Sequence, residues 1–187
     1  MSNESKPPVL ILDERVPTLF VDYDGVLHRG HAFLDESNEI FLDTGIPLFE
    51  FSPLLVSLLE PWPEVEIVLT TTWLSRLPVD EVVSYLPLRL ARRVVGTTQG
   101  YRARFGDWKT GIARTYIIRA YVFEHRLRNW LAIVDSVYGA HDLSTDFLAL
   151  EPHLVLLDSQ RGIGEAQAQQ RIRDWLAEVH GADRCSD

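Results

Sequence analysis

A chain of 187 residues that is 46% hydrophobic and 24% charged has the size and balance of one globular domain, which excludes a disordered chain. No apolar run nears the roughly 20 residues a membrane helix needs, and no leader pattern opens the sequence, so no membrane contact is expected. The net charge of -9 argues against a nucleic-acid-binding body, because phosphate neutralisation needs a basic footprint. Basic residues gather only locally, at Arg89, Arg92 and Arg93 and at Arg102, Arg104 and Lys109. A lone cysteine, Cys185, forms no internal disulfide and suits a reducing cytoplasm.

Met1 to Pro8 is polar and proline-ended, and a flexible lead over residues 1–16 and a flexible tail over 181–187 are expected to flank a single domain at 17–180. Thr18-Leu19-Phe20-Val21, Glu66-Ile67-Val68-Leu69, Leu131-Ala132-Ile133-Val134 and Leu154-Val155-Leu156-Leu157 read as buried parallel strands. Each is short, rich in branched residues and followed by a polar or acidic residue. Val94-Val95 begins a fifth, brief strand. Helical patterns lie between them: Pro53 to Glu60, Val79 to Leu86 after Pro78, Asp107 to about Arg128, and Glu165 to Val179. From His28 to Phe51 there is no clear periodicity, and Ile40-Phe41-Leu42 suits a hairpin or flap over the first strand.

Strands alternating with helices predict an α/β fold, an open sheet with helices on both faces. Ligands then bind beyond the carboxyl ends of the strands, where Asp22, Thr70, Asp135 and Asp158 fall. Asp22-x-Asp24-Gly25 leaves the first strand, and Gly25 permits the bend that brings both carboxylates into one site. One carboxylate can attack phosphorus while the other handles protons, and both can help hold a hard cation. A solvated turn explains the same four residues. Thr70-Thr71-Thr72-Trp73 offers hydroxyls and N–H groups to a phosphoryl oxygen, or simply caps a helix. Lys6 and Lys109 are the only lysines in an arginine-rich chain, so Lys109 is the one compact point charge of the folded part. Asp135 can complete an oxygen-rich magnesium site beside Asp22 and Asp24, or cap a turn.

Asp22-Tyr23-Asp24-Gly25-Val26-Leu27, Thr70, Lys109 and Asp135 together resemble the four motifs of the haloacid dehalogenase superfamily. More closely, Val65 to Trp73, Leu86-Pro87 and Arg93-Val94-Val95-Gly96 are similar to the haloacid dehalogenase domain associated with Swiss army knife RNA-repair proteins. Trp130 to Ile133 and Leu154 to Asp158, with Gly162-Ile163, fit the same pattern.

The resemblance implies a Rossmann-like three-layer α/β/α sandwich, capless or with only a small flap. It implies a magnesium-dependent phosphatase with Asp22 as nucleophile, Asp24 as acid and base, and Thr70 and Lys109 around the phosphoryl group. Magnesium would be held by Asp22, the backbone carbonyl of Asp24, and Asp135. Thr71, Arg102 and Arg104 are further candidates for substrate contact. The fourth motif departs from the pattern, since Ser136 follows Asp135 and the next acid, Asp142, is far along. An open site goes with a nucleic-acid end as substrate, or with a protein partner, while the acidic balance keeps small phosphometabolites in play. The alternative is a catalytically weak domain that binds a phosphorylated ligand or protein partner. A receiver-like domain is disfavoured by the order of the motifs.

Overall fold

The computed structural model describes residues 14–34, 40–42, 44–102, 113–135 and 150–183. Strand β1 (Thr18–Val21) is the centre of a five-stranded sheet. A two-stranded antiparallel hairpin follows, β2 (Ala32–Leu34) and β3 (Ile40–Leu42), as the aperiodic stretch led us to expect. Helix α1 (Ser52–Leu59) leads into β4 (Glu66–Leu69). A single 3-10 turn (Thr72–Ser75), the short helices α2 (Val79–Ser84) and α3 (Leu88–Ala91), and β5 (Val94–Thr97) come next. A 13-residue helix (Ala113–His125) precedes β6 (Trp130–Asp135), and β7 (Leu154–Leu157) precedes the closing helix (Ala166–Asp183).

The strand order is β5-β4-β1-β6-β7, and every pairing in this sheet is parallel. The chain therefore winds outward from β1 to β4 and β5, then returns to the other side of β1. That reversal is a topological switch point, where an open sheet leaves a crevice beyond its strand ends. Register fixes what lines the crevice. Val21 stands level with Leu69 on one side and Ile133 on the other, so Asp22 and Thr70 emerge side by side. Asp135 leaves the neighbouring strand β6.

Alternation along these strands sorts the core into two layers, because successive side chains point to opposite faces. Leu19, Val21, Ile67, Leu69, Leu131 and Ile133 pack with α1 and the closing helix through Leu55, Leu59, Ile172 and Leu176. Phe20, Val68, Ala132 and Val134 pack on the other face against Ile118 and Tyr121. Both faces are covered, which is why the strands read as continuous apolar runs. Between β1 and β4, and between β4 and the 13-residue helix, the described residues form no domain that could cover the strand ends. The hairpin is the small flap. Among the described residues no helix is long and apolar enough to cross a membrane.

Leu131 is fully buried at the centre of this packing, whereas Phe123 is 85% exposed. Leu131→Ala should cost about 2–5 kcal/mol of unfolding free energy in urea titrations, and Phe123→Ala no more than about 0.5 kcal/mol.

Candidate active site

The site begins with Asp22, which is 4% exposed at the end of the central strand. Its own N–H reaches back to Ile133 O at 3.2 Å, holding the backbone in the sheet up to the point where the side chain departs. The N–H of Tyr23 donates to Asp22 Oδ1 at 2.7 Å, and Arg114 Nη2 lies 3.2 Å from Oδ2. Burial is the main influence on this carboxyl and pushes it up to about 6; Arg114 and the Tyr23 N–H pull it down, while Asp24 and Asp135 push it further up. Asp22, Asp24 and Asp135 thus share one electrostatic neighbourhood.

The turn after Asp22 tightens around Gly25, whose φ of +67° lies in the left-handed region. A Cβ there would come within 2.8 Å of Asp135 Oδ2, so the glycine is also what lets the Asp135 carboxylate approach this loop. Asp24 is held differently from Asp22. Its Oδ1 receives the Ala32 N–H at 3.1 Å and Trp73 Nε1 at 3.2 Å, and stands 3.0 Å from His28 Nε2. Among the described residues its Oδ2 meets only the same Trp73 Nε1, at 3.3 Å. His28 is fully buried and packs edge-on against Phe49, which in turn packs against Tyr23 and Trp73. Loop, hairpin and the turn after β4 each contribute a donor to one carboxylate.

Thr70 is fully buried, its N–H on Val21 O at 3.0 Å, and the Thr98 hydroxyl donates to its Oγ1 at 3.3 Å. Thr71 caps the 3-10 turn, accepting the Trp73 N–H at 3.4 Å, so its hydroxyl serves the turn itself. Arg102 is exposed just beyond β5, next to Tyr101, whose hydroxyl donates to Glu124 at 2.7 Å. Among the described residues no hydrogen bond or ion pair joins Arg102 to Asp22, Asp24 or Thr70. Lys109, Arg104 and Asp142 lie outside the described residues.

The profile of the family described as the HAD domain in Swiss Army Knife RNA repair proteins matches residues 18–168. The chain belongs to that family. Its matched span runs from β1 through Ala168 of the closing helix and so contains every residue of the site. No curated protein matches the sequence. Among solved structures it is similar to the 3-deoxy-D-manno-octulosonate 8-phosphate phosphatase from Yersinia pestis, at 12% identity and a TM-score of 0.44. That likeness covers 90% of this chain and 84% of the other.

In this HAD domain the sequence pointed to Asp22, Asp24, Thr70 and Asp135, and the register brings the first and third together. It did not point to Arg114, which provides the cation beside Asp22. Nor did it assign a role to His28, Trp73 or Thr98. Arg114 sits in the first turn of its helix, but in an arginine-rich chain nothing about the residue marks it out. Trp73 following three threonines was visible as a motif, yet an indole reads as core until its N–H is seen on Asp24. Among the described residues no cluster of three or more acids, histidines or cysteines is already arranged to hold a metal. The oxygen donors of Asp22, Asp24 and Asp135 are nevertheless of the kind magnesium takes, and the Gly25 cradle keeps Asp135 against the loop that carries the other two.

Asp22 gives a pH signature. A carboxyl raised in the folded state from 3.8 to about 6 favours folding most below its unfolded pKa, and that contribution is lost as pH climbs through 6. With chelator present, Asp22→Asn should therefore be more stable than the parent at pH 7, by on the order of 2–3 kcal/mol. The advantage should vanish below about pH 4, where both forms are uncharged, as read by urea denaturation across pH.

Proposed function

We propose that the chain is a magnesium-dependent phosphohydrolase that works through an aspartyl-phosphate on Asp22. The observation that carries the reading is the meeting of Asp22, Asp24 and Thr70 at the ends of β1 and β4, with Asp135 against the Gly25 turn. An oxygen of Asp22 attacks phosphorus, the bond from phosphorus to the leaving oxygen breaks, and Asp24 gives that oxygen a proton. Asp24 then takes a proton from water, the water oxygen attacks phosphorus, and phosphate leaves Asp22 free again. The Tyr23 N–H holds one Asp22 oxygen in place for the attack. The Thr70 hydroxyl and Arg114 stand where a transferring phosphoryl group needs donors and positive charge.

Asp22, the Asp24 main-chain carbonyl and Asp135 are the groups that would hold magnesium, which supplies positive charge against the phosphoryl oxygens. Asp22 and Asp24 have environments that separate their roles. One is buried beside a cation, while the other is 14% exposed and ringed by neutral or tautomeric donors. Lys109 joins the site in this reading as a second cation at the phosphoryl group.

The absence of a covering domain among the described residues supports an open phosphomonoester substrate, such as a nucleic-acid end. RNA repair is the setting that the family description suggests. The lone Cys185 and the absence of a membrane-crossing helix among the described residues support a cytoplasmic location.

Release of inorganic phosphate from acetyl phosphate is the direct assay. It should require magnesium, stop with chelator and return on readdition. Asp22→Asn should lose about a thousandfold or more in kcat, since the nucleophile itself is gone. Equal rates for parent and Asp22→Asn would remove the reading in favour of a domain that only binds phosphorylated ligands.

A further inference from the structure

Asp24 faces a cleft of about 460 Å³ between the β2–β3 hairpin and the turn after β4. Phe33 and Ile40 line it from the hairpin, and Trp73, Ser75, Arg76 and Leu77 from the turn. Its volume falls within the roughly 300–1,000 Å³ of small-molecule sites. The nucleophile contributes nothing to its walls.

Whatever group departs from phosphorus must lie against the acid that protonates it. Asp24 is that acid in the phosphohydrolase reading, on which this inference rests, and Asp24 opens into this cleft. The walls then describe the departing alcohol. Phe33, Ile40, Leu77 and the Trp73 indole give flat and aliphatic surface of the kind that packs a ring. Ser75 adds a hydroxyl. Arg76 is exposed at the C-terminal end of the 3-10 turn, and among the described residues its guanidinium makes no ion pair. A planar fork of donors beside an apolar wall matches phosphate better than it matches a neutral sugar. On a chain of net charge -9, a guanidinium that lines a cleft and makes no ion pair among the described residues is a feature that an anionic ligand completes.

We infer that the cleft is the leaving-group subsite, that it accepts an alcohol bearing a flat ring, and that Arg76 receives a second anionic group carried by that alcohol. A nucleoside linked through a phosphodiester to its neighbour has both features. A nucleoside monophosphate has the ring alone, a hexose bisphosphate the second anion alone, and acetyl phosphate neither.

The test compares kcat/KM for these four compounds, with a terminally phosphorylated dinucleotide as the first, using the full chain in magnesium. The dinucleotide should exceed the nucleoside monophosphate by about tenfold or more, and Arg76→Ala should erase that ratio. Arg76→Lys should keep part of the ratio, because charge without the fork remains. Phe33→Ala should narrow the margin of the dinucleotide over the hexose bisphosphate. Thermal melts of each variant separate these effects from misfolding, since Arg76 and Phe33 are both exposed.

A dinucleotide preference that survives in Arg76→Ala, or a hexose bisphosphate that matches the dinucleotide, would overturn the subsite while leaving the phosphohydrolase reading intact. Turnover of acetyl phosphate with no preference among the other three would do the same. Failure to turn over any of the four would remove the phosphohydrolase reading and the subsite with it.

Discussion

A carboxylate placed at the end of a strand that is hydrogen-bonded on both sides has almost no freedom to seek water. Asp22 is in that position, between β4 and β6, and its surroundings compensate it only in part. One N–H and one guanidinium favour its charge; burial and two neighbouring carboxylates oppose it. The result is a group near balance between its two protonation states around pH 6. Any additional cation or hydrogen-bond donor tips it. The fold tolerates such a group because the two-faced packing of Leu19, Phe20 and Val21 fixes β1 from both sides, all three being essentially without exposure. The stability that the core provides is what permits an unfavourable charge at the strand's end.

Asp24 shows the opposite arrangement two residues later. Where Asp22 is under-compensated, Asp24 is met by donors from three separate elements. The asymmetry within its carboxylate has a mechanical reading. Oδ1 is tied to His28, Ala32 and Trp73, whereas among the described residues Oδ2 has only the longer half of a shared indole contact. That leaves Oδ2 the oxygen suited to the proton transfer proposed for Asp24, while Oδ1 stays fixed. The rings of Tyr23, Phe49, Trp73 and His28 meet edge to face or tilted, which sets the angle at which the indole and imidazole approach. Because Ala32 opens β2, the position of the hairpin and the aim of Asp24 are one geometric problem.

Much of this was legible in the sequence for a definable reason. Strands buried on both faces appear as short unbroken apolar runs, and 18–21, 66–69 and 154–157 appear in the structure with the bounds their composition suggests. The rule that ligands bind beyond strand ends then selected Asp22, Thr70, Asp135 and Asp158 without knowledge of pairing; Asp158 accepts the Gln160 N–H of its own turn. What stayed hidden depends on pairing or on side-chain direction. Thr98 reaches Thr70 only because β5 lies beside β4. Arg114 meets Asp22 only because the described helix, Ala113–His125, passes beside the end of β1; the start expected at Asp107 lies outside the described residues. Thr71 illustrates a two-way reading: a hydroxyl that suits a phosphoryl oxygen equally suits the first turn of a helix, and here it caps one. Lys109 and Arg104, read as phosphate contacts, lie outside the described residues.

The acidic balance of the chain bears on the site less than its size suggests. At physiological ionic strength exposed charges more than about 8 Å away are largely screened, so the net charge of -9 acts mainly through the few groups next to the crevice. Among the described residues those include three carboxylates, Asp22, Asp24 and Asp135, against the guanidinium of Arg114 and that of Arg76 in the cleft beside Asp24. With all three ionised, this local sum is negative, and a phosphomonoester would make it more so. Binding such an anion there needs either protonated carboxyls or further positive charge. The raised pKa of Asp22 is the first remedy, but it would neutralise the group proposed above as nucleophile. A divalent cation is one source of the second, and it leaves Asp22 ionised for the attack proposed above. Among the described residues the charge balance at the crevice thus agrees with the metal-assisted mechanism proposed above, in which Lys109 adds further positive charge.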